Sequence, residues 1–118
     1  MNLKNLLEKQ QKFDEEHNWP TGGKSIDEFV ANLNSDLVGL IGEIGEFSNI
    51  VKKIRLDAIN LGIDSREKHK SILKEELIDV FIYFMRISMY FDIDIESEYL
   101  KKIIKNKKRF KKYELKND

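Results

Sequence analysis

Apolar residues recur along this chain at intervals of three and four, and those intervals mark out helices. Leu3, Leu6, Leu7, Gln10 and Phe13 follow the helical period and predict a first helix ending near His17. The stretch Asn18-Trp19-Pro20-Thr21-Gly22-Gly23 breaks it. Ser25-Ile26-Asp27-Glu28 matches the S-x-x-E capping box and opens a short helix through Phe29 and Leu33. A long helix is expected from about Ser35 to Ile59, with Leu37, Leu40, Ile41, Ile44, Phe47, Val51 and Ile54 as its apolar arc. Asn60-Leu61-Gly62 is a stop signal, and Ser65 is placed to cap a third long helix running to about Tyr90. Asp92-Ile93-Asp94 separates that helix from a last one starting near Ile95, and residues 114–118 are expected to fray. No segment alternates as a strand does. The expectation is one all-α, four-helix-bundle-like domain over residues 1–118, without repeat or linker.

Composition narrows the function classes. The 21 basic and 21 acidic residues balance, so there is no global pull toward nucleic acid or a membrane surface. The absence of cysteine removes thiolate chemistry and disulfides. The N-terminus lacks the apolar stretch of a signal peptide, and the run from Leu77 to Phe91 holds Asp79 and Arg86 and is too short for a bilayer. These features predict a soluble, cytoplasmic protein.

Candidate chemistry sits in two carboxylate pairs, Glu43/Glu46 and Glu76/Asp79, each spaced i, i+3 on a predicted helix. That spacing stacks like charges one turn apart, which destabilises a helix unless something positive lies between them. The segment from Leu77 to Phe91 is apolar nearly all round except for one stripe of Glu76, Asp79, Tyr83 and Arg86. A helix of this kind is expected to be buried, and its carboxylates then need a compensating partner. Glu43 and Glu46 lie at the border of their helix's apolar arc, beside Gly39, Gly42 and Gly45. Glycine there costs up to about 1 kcal/mol each and implies close approach by another backbone or a ligand. An acidic pair alone also fits a solvated face, and Asp79 alone also fits a buried salt bridge. Two facing pairs instead make a cage of hard oxygens suited to Mg²⁺ or Mn²⁺.

The run Leu40-Ile41-Gly42-Glu43-Ile44-Gly45-Glu46, followed by Glu75-Glu76-Leu77-Ile78-Asp79-Val80, resembles the E-x-x-E … E-x-x-D signature of the MazG-like all-α nucleoside triphosphate pyrophosphohydrolases. The likeness extends to Lys102-Ile103-Ile104-Lys105-Asn106-Lys107-Lys108-Arg109, which is similar to that family's K-x-x-x-N-x-x-R segment, and to Trp19 ahead of the core motif. It spans about residues 13 to 113 and is closest to the dCTP-pyrophosphatase-like branch. The chain departs from the pattern in two places: Gly42 stands where many members double the first glutamate, and the spacer between Glu46 and Glu76 is long, at 29 residues.

The resemblance implies Mg²⁺-dependent cleavage of a (deoxy)nucleoside triphosphate between the α and β phosphates, giving a monophosphate and pyrophosphate in nucleotide-pool housekeeping. Glu43, Glu46, Glu76 and Asp79 would then hold the metal, with Glu46 also the general base. Lys102, Asn106 and Arg109, on one face of the last helix, would contact phosphates. Most of the eight basic residues between Lys101 and Lys112 fit better as a solvated helix end that complements its own dipole. Tyr83 would reach a phosphate or a ligand, or simply pack. Trp19 and Phe13 would stack on the base or anchor the core. His17 and His69 are given no catalytic role. A homodimer or homotetramer is expected, since the helix from Leu77 to Phe91 has more apolar surface than one chain covers.

Two other classes are weighed. A carboxylate di-iron protein needs Glu-x-x-His, and neither His17 nor His69 has a glutamate three residues before it. A non-enzymatic helical module binding nucleic acid or a protein through the basic last helix is the alternative, disfavoured by the zero net charge.

Overall fold

The computed structural model describes residues 1–115, and every regular element among them is helical. Helix α1 spans Leu3–Glu16, α2 Ile26–Leu56, α3 Arg66–Tyr90 and α4 Ile95–Arg109. A π-helical turn, Asp57–Leu61, continues α2, and a 3₁₀ turn, Lys111–Tyr113, follows α4. Of the tail expected to fray, residues 116–118 lie outside the described residues.

Local chemistry explains most boundaries. Asn2 and Asn5 form a reciprocal capping box at the start of α1, each side chain accepting from the other's backbone N–H at 3.0 Å. Ser25 caps α2 by accepting from the Glu28 N–H at 3.2 Å, while Glu28 reaches back to the N–H of Lys24 rather than Ser25. The expected break between Leu33 and Ser35 is absent, and one 31-residue helix runs through both segments. Nothing at Leu33, Asn34 or Ser35 forbids helical backbone, and without glycine or proline there is no reason to stop. Gly62 adopts the left-handed conformation (φ 62°) and ends the π-helical turn. The cap expected of Ser65 comes instead from Asp64, which accepts from the Arg66 N–H at 3.1 Å, and the Ser65 hydroxyl is buried without a partner. Asp94 caps α4 by accepting from the Ser97 N–H. Acidic first turns and basic last turns in α2 and α4 complement the helix dipoles.

Helices α2 and α3 form an antiparallel hairpin. Asp36 meets Arg86 and Tyr90, Gly39 meets Tyr83, and Glu43 and Glu46 meet Glu76. Each step forward along α2 is therefore matched by a step back along α3. Helix α1 packs on one side of this hairpin, whereas α4 makes only sparse contact with the other helices. The buried apolar core is correspondingly small: Ile50, Met85 and Tyr90.

That small core corrects one expectation. The segment Leu77 to Phe91 is buried only on one side within this chain: Met85, Ser88 and Tyr90 are enclosed, but Leu77 is 54% and Phe84 48% exposed. A hairpin covered on one side only has no third layer to enclose them.

Candidate carboxylate site and adjoining cavity

The antiparallel register puts the two acidic pairs at the same level of the hairpin. Carboxylate oxygens of Glu43, Glu46 and Glu76 all lie within 4.8 Å of one another. Glu43 and Glu76 are half-buried and Glu46 is exposed. One oxygen each of Glu43 and Glu76 is fully shielded from solvent and has no hydrogen-bond partner. Three carboxylates cannot all remain charged at this range without compensation. Glu76 responds: a proton taken up there is shared first with Glu43 and then with Glu46, and with burial and charge repulsion adding this raises its pKa from 4.5 to about 7. Orphaned carboxylate oxygens converging from two helices are the donor set that Mg²⁺ or Mn²⁺ takes, so the residues present fit such an ion.

Asp79 stands one turn beyond Glu76, outside the three-carboxylate group. With Glu43 it lines an open cavity of about 1020 Å³ between α1 and the hairpin. Its walls are largely apolar and aromatic, with Phe13, Trp19, Ile78 and Phe81 among them and Asn32 and Ser35 as polar points. That volume and lining suit a small organic ligand.

Trp19 lies on the wall, 53% exposed, its ring stacked on His17 at 5.0 Å, with Phe13 next to both. Tyr83 also lines the cavity, and its ring sits over Gly39 where any β-carbon would collide with it. The close approach expected at the glycines is thus a side chain at Gly39. At Gly42 and Gly45 no other element among the described residues comes within 4 Å of a notional β-carbon, so neither is explained by a neighbouring backbone. Lys102, Asn106 and Arg109 are on α4 and do not line the cavity, and the Arg109 guanidinium rests 5.0 Å over the Phe110 ring. His69, in the first turn of α3, is half-buried and 3.9 Å from Asp57.

The structure also reveals a network at the other end of the cavity. The Arg86 guanidinium forks onto both oxygens of Asp36 at 3.0 and 3.1 Å and approaches Asp14 at 2.8 Å. It also donates to the Trp19 carbonyl, and the Tyr90 hydroxyl donates to Asp36 at 2.7 Å. Burial first, then the Asp36 hydrogen bond, raises the Tyr90 phenol well above its ordinary value. Burial opposes the Arg86 charge, but Asp36 and Asp14 outweigh it and raise its pKa. Of the side chains in this network, periodicity marks only Arg86; Trp19, a candidate for stacking, joins through its backbone carbonyl. Asp36, an acid amid the apolar residues of α2, was the other available signal, whereas Asp14 looks like an ordinary helix-end acid.

Among the described residues no helix is long and apolar enough to cross a membrane. Set against protein-family models, curated proteins and solved structures, the chain matches none of them.

Proposed function

We propose that this chain is a divalent-cation-dependent nucleoside triphosphate pyrophosphohydrolase of MazG-like type, cutting between the α and β phosphates. The observation that carries the reading is the meeting of Glu43, Glu46 and Glu76, with two orphaned oxygens, at the edge of a cavity walled by Trp19 and Phe13. Glu43, Glu46 and Glu76 would hold Mg²⁺, with Asp79 a fourth carboxylate one turn away. The ion supplies neutralisation of phosphate charge and acidification of a water. Glu46, the most exposed of the three, would accept the proton of the attacking water. Trp19 and Phe13 offer flat apolar surface to a base, and Tyr83 and Asp79 line the same cavity. Lys102, Asn106 and Arg109 lie away from the cavity, so a role on the phosphates requires α4 of a neighbouring copy. A homodimer or homotetramer in a four-helix-bundle arrangement belongs to this reading.

The test is incubation of the purified chain with a panel of NTPs and dNTPs, with and without Mg²⁺ or Mn²⁺. Monophosphate and pyrophosphate are expected, and Glu76→Gln should abolish them. Absence of turnover by a folded, metal-binding protein overturns the assignment.

One observation favours a second reading. Helix α4 stands clear of the hairpin with its lysines exposed, as a module binding nucleic acid or an acidic protein would present it. Steeply salt-dependent DNA binding, unchanged by Glu43→Ala, would select that reading over the first.

A further inference from the structure

We infer that Lys9 on α1 is a phosphate-binding residue of the cavity, supplied by the same chain that supplies the carboxylates. Lys9 in this role rests on the reading of the cavity as a nucleotide site, and gives that site a cation that the sequence motifs do not mark. Leu6, Lys9 and Phe13 line the cavity from α1, and their spacing of three and four residues puts them on one flank of that helix. Lys9 thus stands one turn from Phe13, on the same cavity that Glu43 and Asp79 line from the hairpin. A nucleotide carries its base at one end and its phosphates at the other. The cavity offers aromatic rings for the first and a lysine with carboxylates for the second.

Charge singles out Lys9. Two cations line the cavity, Lys9 and Arg86. The Arg86 guanidinium is committed to Asp36 and Asp14, which leaves it no charge to offer a ligand. Four carboxylates, of Asp14, Asp36, Glu43 and Asp79, line the same space. An anionic ligand there depends on the divalent ion and on Lys9. No acid on its own helix competes for this lysine: three and four residues away on either side stand Leu6, Asn5, Lys12 and Phe13. By contrast, Lys4 has Glu8 and Lys12 has Glu16 four residues on, the spacing of an ordinary surface pair. Among the described residues Lys9 takes part in no salt bridge. It is exposed, so its stem can lie along Leu6 and Phe13 while the ammonium, a compact donor on a flexible chain, meets a phosphate.

The experiment is calorimetric titration of the full chain with inorganic tripolyphosphate in the presence of Mg²⁺, beside nucleotide turnover, for the parent, Lys9→Gln, Lys9→Arg and the control Lys4→Gln. Lys4 lies nine residues before Phe13, on the opposite side of α1, and does not line the cavity. Lys9→Gln should weaken tripolyphosphate binding and raise KM by about tenfold to a hundredfold, the span of one charge-assisted hydrogen bond, with the thermal melt unchanged. Lys9→Arg should recover most of the loss, and Lys4→Gln should change neither quantity. A Lys9→Gln variant that binds as tightly as the parent overturns the inference. So does an equal loss in Lys4→Gln, which reports only the net charge of the chain. A lowered melt in Lys9→Gln that Lys9→Arg does not rescue assigns Lys9 to packing and overturns it as well. Lys9-dependent binding of tripolyphosphate without turnover of any nucleotide would count against the proposed hydrolysis and leave this phosphate contact standing. Turnover indifferent to Lys9→Gln would do the reverse, and a parent that binds no tripolyphosphate and turns over no nucleotide overturns both.

Discussion

Glu43 and Glu76 face each other across the α2–α3 hairpin, each with one carboxylate oxygen buried and unpartnered. Two negative groups held together by the packing of their helices leave an electrostatic debt that a divalent cation removes. Mg²⁺ or Mn²⁺ at a hundredfold excess over Kd should stabilise the protein by about 2.7 kcal/mol, raising Tm by on the order of 10 °C. Glu43→Gln and Glu76→Gln should each shrink that shift in a thermal melt. A parent protein whose melt ignores both cations would contradict a metal role for these residues.

The pH dependence follows from the raised pKa of Glu76, about 7 in the folded protein against an ordinary 4.5. The folded state holds this proton more tightly than the unfolded chain does. The resulting stabilisation is fully present below about pH 4.5 and is lost as pH rises through 7. Metal-free protein should therefore melt lower at pH 8 than at pH 5. Glu76→Gln should flatten the profile, and saturating Mg²⁺ at pH 8 should restore the loss.

Arg86 joins α1, the turn at Trp19 and α2 to α3 through Asp14, the Trp19 carbonyl and Asp36. Its side chain is largely buried, so Arg86→Ala leaves two buried aspartates uncompensated and should cost about 3–5 kcal/mol in denaturant unfolding. Arg86→Lys should recover only part, since an ammonium cannot reproduce the fork onto Asp36. Trp19 is the sole tryptophan, so its emission should shift in both variants if this tie holds the cavity wall.

The three helical glycines should behave differently. A β-carbon at Gly39 collides with the Tyr83 ring, whose hydroxyl oxygen would lie 2.6 Å away. Gly39→Ala should destabilise by about 1–3 kcal/mol, and the loss should shrink when combined with Tyr83→Ala. At Gly42 and Gly45 there is open space, and alanine there should stabilise by about 0.5–1 kcal/mol through helix propensity. Equal effects at all three would contradict the packing described.

Glu46→Gln separates the two roles available to that residue. As general base, its loss should lower kcat roughly 10²–10⁴-fold while cation binding in a calorimetric titration persists. As a ligand, its loss should weaken cation binding as well. Asp79→Asn, outside the three-carboxylate group, should affect cation binding less than Glu76→Gln does.

Local signals in the sequence account for much of this structure. The helical period and the caps at Ser25 and Asp94, with the stop at Gly62, are nearest-neighbour effects, readable from a few residues at a time. The false break near Ser35 shows the limit of such reading, because a capping residue does not end a helix that neighbouring residues allow to continue. The stripe through Glu76, Asp79, Tyr83 and Arg86 was legible from periodicity, but its partners were not. Spacing along one helix cannot say that Glu76 meets two glutamates while Arg86, ten residues on, meets two aspartates.

The sequence by itself determined that the chain is helical and which residues share a helix face, because both follow from backbone geometry and side-chain order. Tertiary structure alone decided which faces meet. The antiparallel register brought Glu43, Glu46 and Glu76 together, left Asp79 on the cavity wall, and drew Asp14 and Asp36 onto Arg86 from distant positions. It also left Leu37, Ile44, Leu77 and Phe84 uncovered. Periodicity marks such residues for burial, but only the packing of whole helices determines whether the same chain supplies the cover.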